Sequence, residues 1–389
     1  MNNKTLPERF EEFSEARRQG FVDVMDIKNE GGLIAGVFCA YTPSEILDAA
    51  GITSVGLCGT SEETIPDAEK VLPRNLCPLI KSSYGFALTE KCPYFYFSDI
   101  IIGETTCDGK KKMYELLEDM GKRVYIMHLP QGADRDYEID FWAKEIERLA
   151  DYLEENLDVS ITKEKLIDAV IKNNEYRRLS EKMFSLQKLV PPPMNGMDMI
   201  YAQEGEAYKF DRTERYRAME ELITHIESEY ENGARPVSTD RKRIMITGCP
   251  LGGAMDKIGN AIEKNGGVIV CYDTCGGTRS SGLLIDENRT DTKEDVIHAI
   301  AERYMKVGCS VLTPNTTRLE NLPNLLEEYK IDGVVEVILQ ACHTYNVEAV
   351  RIKDIVKKEN IRYMSIETDY SNSDEGQIET RIQAFLEML

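Results

Sequence analysis

The 389-residue chain contains no C-x-x-C pair, and none of its ten cysteines falls between Cys107 and Cys249. Locally paired thiols, C-x₂₋₄-C, are the usual basis of a structural zinc site, and the one close pair here, Cys271 and Cys275, stands alone, which argues against one. No Walker A motif occurs: GCPLGGAMDK begins like a phosphate loop, but Gly253 is followed by Ala254 and not by Lys-Ser/Thr, so an ATP site of that kind is excluded. The G-x-G-x-x-G dinucleotide fingerprint is missing as well. Positive charge is scarce, with 47 Lys and Arg against 68 Asp and Glu for a net charge of −21. A nucleic-acid partner, which needs a basic face, is not expected. No apolar run approaches the ~20 residues of a membrane span. The opening MNNKTLPERFEEFSEARRQG is polar and reads as an amphipathic helix, not a secretion signal, so a cytoplasmic protein with no membrane partner is expected. In that setting the ten cysteines are not expected to serve as disulfides.

What is present is an alternation of strand and helix. GGLIAGVFC, ITSVGLCG, FSDIIIGETTC and RVYIMHLP read as strands. They are interleaved with TPSEILDAAG, with Thr42 as its N-cap and Pro43 at its first position, LIKSSYGFAL, and DGKKKMYELLEDMG, closed by Gly121. From Tyr137 to Glu231 the spacing turns helical and densely charged, broken by the proline-rich LVPPPMNG. Strand–helix alternation resumes at Lys242 with RIMITGCPLGG, VIVCYDTCGG, IDGVVEVILQAC and RYMSIETDY as strands. DVIHAIAERYMKVG is read as a helix and CSVLTPN as a short strand. The pattern predicts an α/β protein: two parallel-sheet, Rossmann/flavodoxin-like domains facing each other and linked by a helical segment. The expected segmentation is 1–136 and 237–389 for the α/β domains and 137–236 for the helical link.

In open parallel sheets ligands sit outside the carboxyl ends of the strands. Cys39 and Cys107 end strands of the first half, and Cys77 lies in the loop between them. Cys249 and Cys342 end strands of the second half, and Cys275 follows one. Each half offers three thiols at its functional edge, and six would converge on one crevice if the halves face each other. Ligands contributed singly from distant strands suit an iron–sulfur cluster; a buried structural thiol is the alternative for each. Amides at a helix start would stabilise a thiolate at Cys107 or Cys342. Cys309, at the start of its strand, and Cys271, inside one, read as core, while Cys58 and Cys92 are open between ligand and supporting residue.

Other candidates are weighed beside them. His343, next to Cys342, is a possible proton donor or a structural histidine. Glu45 is a possible general acid or a helix-end carboxylate. Lys110, Lys111 and Lys112 either face water, contact a partner, or balance an anionic cluster. Glu367 and Asp369 end the last strand as possible supporting residues.

PRNLCPLIKSSYGFAL, KCPYFYFSDIIIGETTCDGKKKMYELL, IDGVVEVILQACHTYNVE and SIETDYS closely resemble the 2-hydroxyacyl-CoA dehydratase / benzoyl-CoA reductase superfamily over nearly the full chain. That resemblance implies an oxygen-sensitive iron–sulfur cluster with ligands at Cys77, Cys107 and Cys342. The further thiols Cys39, Cys249 and Cys275 make the chain most similar to the double-cubane cluster proteins of the superfamily. Those are homodimers whose chains each hold an [8Fe-9S] cluster through six cysteines; Cys309 is the alternative to Cys249. The resemblance implies a separate ATP-hydrolysing [4Fe-4S] activator that injects low-potential electrons, and small, hard-to-reduce molecules as substrates. The alternatives are a 2-hydroxyacyl-CoA dehydratase subunit with a single [4Fe-4S] cluster, and an electron carrier or redox sensor without substrate chemistry.

Overall fold

The computed structural model describes residues 6–389, with side chains from residue 18 onward. The opening helix runs from Leu6 to Asn29, and residues 1–5 of the segment read as helical lie outside the described residues. Two four-stranded, all-parallel sheets carry the fold. The first joins β1 (Leu33–Val37), β2 (Ile52–Gly56), β3 (Ile100–Glu104) and β4 (Val124–Met127) in the order β2-β1-β3-β4. The second joins β5 (Lys242–Gly248), β6 (Gly267–Asp273), β7 (Gly333–Leu339) and β8 (Arg362–Thr368) in the order β6-β5-β7-β8. The two orders are the same arrangement repeated.

Central strands show why these segments are strands. β3 and β7 are buried along their whole length, as expected for β-branched and aliphatic runs covered by helices on both faces. The one acid inside β7, Glu336, accepts a hydrogen bond from the Tyr363 hydroxyl of β8 at 2.5 Å, which lets a polar group stay in the sheet. Register is continuous along β7–β8, from Gly333 opposite Arg362 to Leu339 opposite Thr368. β5 and β6 slip by one residue between Ile244 and Met245.

The chain divides into two compact units that do not follow chain order. One contains residues Phe21–Arg177 and Leu283–Arg318; the other is built on Arg178–Gly282 and Leu319–Leu389. In the first unit, the Asp136–Leu157 helix lays Trp142, Ile146, Leu149 and Leu153 against Val296, Ile297, Ile300 and Tyr304 of the Lys293–Met305 helix. Matching apolar stripes explain why a helix encoded after β6 joins the core of the first sheet. The second unit's core gathers Met245, Val268, Val270, Val334, Ile352 and Val356. The Gly196–Glu206 helix starts so close to β6 that a side chain at Gly196 would strike the Ile269 carbonyl.

One expected element is corrected. Cys309–Asn315 forms turns and not a strand: the Leu312 amide closes on the Cys309 carbonyl at 3.0 Å and the Thr313 amide goes to the Gln131 carbonyl at 2.8 Å. One of these amides closes a turn and the other is taken by a distant loop carbonyl, so neither joins a sheet ladder. Among the described residues, no helix is long and apolar enough to cross a membrane.

Candidate functional site

In each sheet the strand order reverses once, between β1 and β3 and between β5 and β7. Such a switch point splays the following loops apart and leaves a ligand crevice at the carboxyl ends. Cys39 and Cys107 follow the two strands that flank the first switch point, and Cys249 and Cys342 follow those that flank the second. Cys275 lies just beyond β6, and Cys77 caps the Pro78–Leu88 helix. That helix packs on the Asp108–Asp119 helix near both starts: a side chain at Gly109 would collide with Ile80 and reach Leu76. The first turns that begin at Cys77 and Cys107 are therefore neighbours.

Cys77, Cys107 and Cys342 each occupy an N-cap position, and no side chain caps any of the three helices. All three sulfurs therefore sit at the positive ends of helix dipoles. All ten cysteines are unbridged; Cys39, Cys77, Cys107, Cys275 and Cys342 are half-buried, whereas Cys249 is fully buried. The turn into Cys342 passes through Ala341 at φ +59°, a left-handed conformation seldom adopted by a residue with a Cβ.

The first switch point is bridged by two contacts. Thr42, in the loop after β1, donates to the Oε1 atom of Glu104 at the end of β3. Lys110, in the first turn after Cys107, donates to the Phe38 carbonyl at 2.8 Å, and the Cys58 thiol donates to the same carbonyl at 3.2 Å. Glu104 is fully buried, and its Oε2 has no hydrogen-bond partner among the described residues. Burial raises its pKa to about 7, against the pull of Thr42 and Lys110. Burial likewise pushes the Cys58 thiol up despite Lys110. Of the three lysines, Lys110 turns inward; Lys111 pairs with Asp108 at 3.3 Å and Lys112 with Glu115 at 2.7 Å on the exposed face.

The second switch point is held by Arg279. Its guanidinium donates to both carboxylate oxygens of Asp273 (3.1 and 3.0 Å), to the Asp273 carbonyl (2.7 Å), to the Gly248 carbonyl (3.4 Å) and to the Tyr345 hydroxyl (2.8 Å). Thr247 adds a bond to Asp273 at 2.6 Å. One buried side chain thus ties together the ends of β5 and β6 and the first turn of the helix that follows Cys342. Gly248 has φ +142°, and a Cβ there would run into the Val337 carbonyl, so only glycine fits before Cys249. The Cys249 sulfur accepts from the Leu339 amide at 3.2 Å.

The remaining candidates are placed as follows. Glu45 is fully buried; Arg177 donates to one of its oxygens at 2.5 Å and the Tyr304 hydroxyl to the other at 2.9 Å. Burial alone would raise this carboxyl, but Arg177 and Arg303 hold it below its ordinary value. His343 is exposed at the start of its helix, and its ring makes no hydrogen bond among the described residues. Glu367 accepts from Asn346 at 3.2 Å, and Asp369 caps the Ser371 amide at 2.8 Å. Cys271 lies buried in β6, and Cys309 packs against the first unit's core. Thr42, read from the sequence as a helix N-cap, instead turns its hydroxyl to Glu104, and Pro43 holds the N-cap of the Ser44–Ala49 helix; Glu104, Arg279 and Asp273 carry no sequence signal of their own. An acid closing an apolar strand and an arginine in CGGTRSSG are ordinary until folding joins their partners.

An iron–sulfur cluster requires soft thiolate donors and surroundings that tolerate its negative charge. Half-buried thiols beside uncapped helix starts fit both requirements. Among the described residues no three Cys, His, Asp or Glu side chains gather around a single metal-ion position; a cubane takes one sulfur per iron, and its ligands stand farther apart than those of one ion.

The profile of the family described as 2-hydroxyglutaryl-CoA dehydratase, D-component, matches residues 39–389. Over 385 residues the chain is 47% identical to YjiM of Escherichia coli (strain K12), which carries a provisional dehydratase-subunit name; the match covers 99% of this chain and 98% of that protein. It is 24% identical to the (R)-phenyllactyl-CoA dehydratase beta subunit of Clostridium sporogenes, across 93% of each chain. It is also 23% identical to the (R)-2-hydroxyglutaryl-CoA dehydratase subunit beta of Acidaminococcus fermentans, over 97% of this chain and 98% of that one.

Proposed function

Because the chain belongs to the 2-hydroxyglutaryl-CoA dehydratase D-component family, we propose that it is an iron–sulfur reductase served by a separate ATP-hydrolysing activator. Its cofactor is an [8Fe-9S] double cubane, with Cys39, Cys77, Cys107, Cys249, Cys275 and Cys342 as ligands. Its substrates are small molecules that are hard to reduce, and it works in the cytoplasm as a homodimer. The observation that supports this reading is the repeated placement of thiols: Cys39 and Cys107 follow β1 and β3, with Cys77 at a helix start in the same unit, and Cys249, Cys275 and Cys342 follow β5, β6 and β7 in the other. When bound, such a cluster supplies stored low-potential electrons. The chain's own contribution is to hold thiolates at helix starts, where amides stabilise negative charge, and to keep Cys249 out of water. An activator is consistent with the missing nucleotide loop.

The second reading is a dehydratase subunit with a single [4Fe-4S] cluster acting on an acyl-CoA, favoured by the names of the relatives at 23–24% identity. Iron and sulfide analysis with Mössbauer spectroscopy of anaerobically purified protein separates the two. Roughly eight irons per chain in one coupled unit supports the double cubane, and about four with acyl-CoA binding supports the dehydratase. Cys107→Ser should lower iron content and abolish reduction; full iron loading in that variant would remove Cys107 from the ligand set.

A further inference from the structure

Several buried cations of this protein have carboxylate partners, such as Lys81 with Glu69 at 2.8 Å, Lys257 with Asp374 at 2.6 Å, and Arg279 with Asp273 at 3.0 Å, whereas buried Arg243 is held by the carbonyls of Tyr329, Leu189 and Gln187. Lys110 is different. Its side chain is half-buried, and its ammonium has one hydrogen-bond acceptor among the described residues, the Phe38 carbonyl, and lies 5.9 Å from the centre of the Phe38 ring. No carboxylate stands within ion-pair distance of it among those residues. The acidic groups whose fields reach it are Tyr114, Cys39, Cys58 and Glu104. Burial pushes Tyr114, Cys58 and Glu104 each toward the neutral form. A half-buried ammonium with three donors and one neutral acceptor keeps two donors for water or an anion.

We propose that Lys110 is the built-in counter-charge for an anionic ligand at the first switch point, and that this ligand is the cluster whose thiols include the adjacent Cys39 and Cys107. This rests on the cluster reading above and adds a residue to it: of the KKK run, Lys110 alone works toward the site, while Lys111 and Lys112 are solvated. The arrangement explains why Lys110 is fixed through the carbonyl that precedes Cys39, with Cys58 donating to the same oxygen. Lys110 is a positioning and charge-balancing residue, not a catalytic one.

The test is read in the loaded protein, and the variant is Lys110→Met. In anaerobically loaded protein the same variant should lose iron to a chelator several-fold faster. It should also show a more negative midpoint potential in an EPR-monitored titration, because electrons enter less readily without the nearby cation. Lys110→Arg should keep wild-type potential and retention, and Lys111→Met should change neither. A loaded Lys110→Met protein with unchanged potential and iron retention would make the lysine a structural prop and overturn the proposal. Wild-type protein that takes up no iron and sulfide is a distinct failure, of the cluster reading itself, and removes the anion on which the proposal depends.

Discussion

The two sheets have the same strand order and thiols after matching strands, yet their switch points are held together differently. At the second, Arg279 makes five hydrogen bonds and meets the full charge of Asp273. At the first, a buried acid near neutrality and a lysine without a carboxylate face each other across the loops after β1 and β3. Equal topology places both sites; local charge balance makes the second edge self-sufficient and leaves the first poised for an anion. Buried, satisfied networks rigidify their surroundings, whereas a partly satisfied one marks a place where something else binds.

The comparison breaks most visibly at the second edge. Arg279→Met strands Asp273 in the interior and should cost about 3–5 kcal/mol by chemical denaturation of the full chain; a loss below about 1 kcal/mol would show that Arg279 does not hold that edge. Arg177→Met strips the first unit's buried pair with Glu45 and belongs in the same range of about 3–5 kcal/mol. It should unfold the unit without any dependence on the cluster. A stable, iron-loaded but inactive Arg177→Met protein would instead give Glu45 a direct part in the chemistry.

Next in size is a pH effect at the first edge. Glu104 binds its proton more tightly when folded, with its value raised from 4.5 to about 7. Its contribution is therefore fully present below pH 4.5 and lost as pH rises toward 7, because the unfolded chain gives up the proton first. Glu104→Gln should match wild type in acid and exceed it by on the order of 2 kcal/mol above pH 7; parallel stability profiles would rule this out. Smallest of all, Lys112→Ser on the solvated face should stay within about 0.5 kcal/mol of wild type.

Much of the fold could be read from local pattern. Apolar runs such as IIIG and GVVEVIL are buried strands because parallel sheets are covered on both faces, and Cys107 ends its strand run and begins a helix as the sequence indicates. CSVLTPN misled because its apolar residues serve packing and its amides close turns, a distinction invisible in composition. The helix Lys293–Met305 was legible as a helix, but not as part of the first sheet's unit, since its stripe would suit either core.

By itself the sequence determined the elements, their parallel sense and the strand-end position of the thiols, because periodicity and chain reversal are local properties. It also determined the family, whose profile matches residues 39–389. Only the tertiary structure decided which lysine of KKK faces inward, that Glu45 is locked by Arg177 and Tyr304, and that Arg279 binds three elements together. Those outcomes depend on burial and on partners as far apart in the chain as Glu45 and Tyr304, and burial sets the free energy of a charge far more than its neighbours in sequence do.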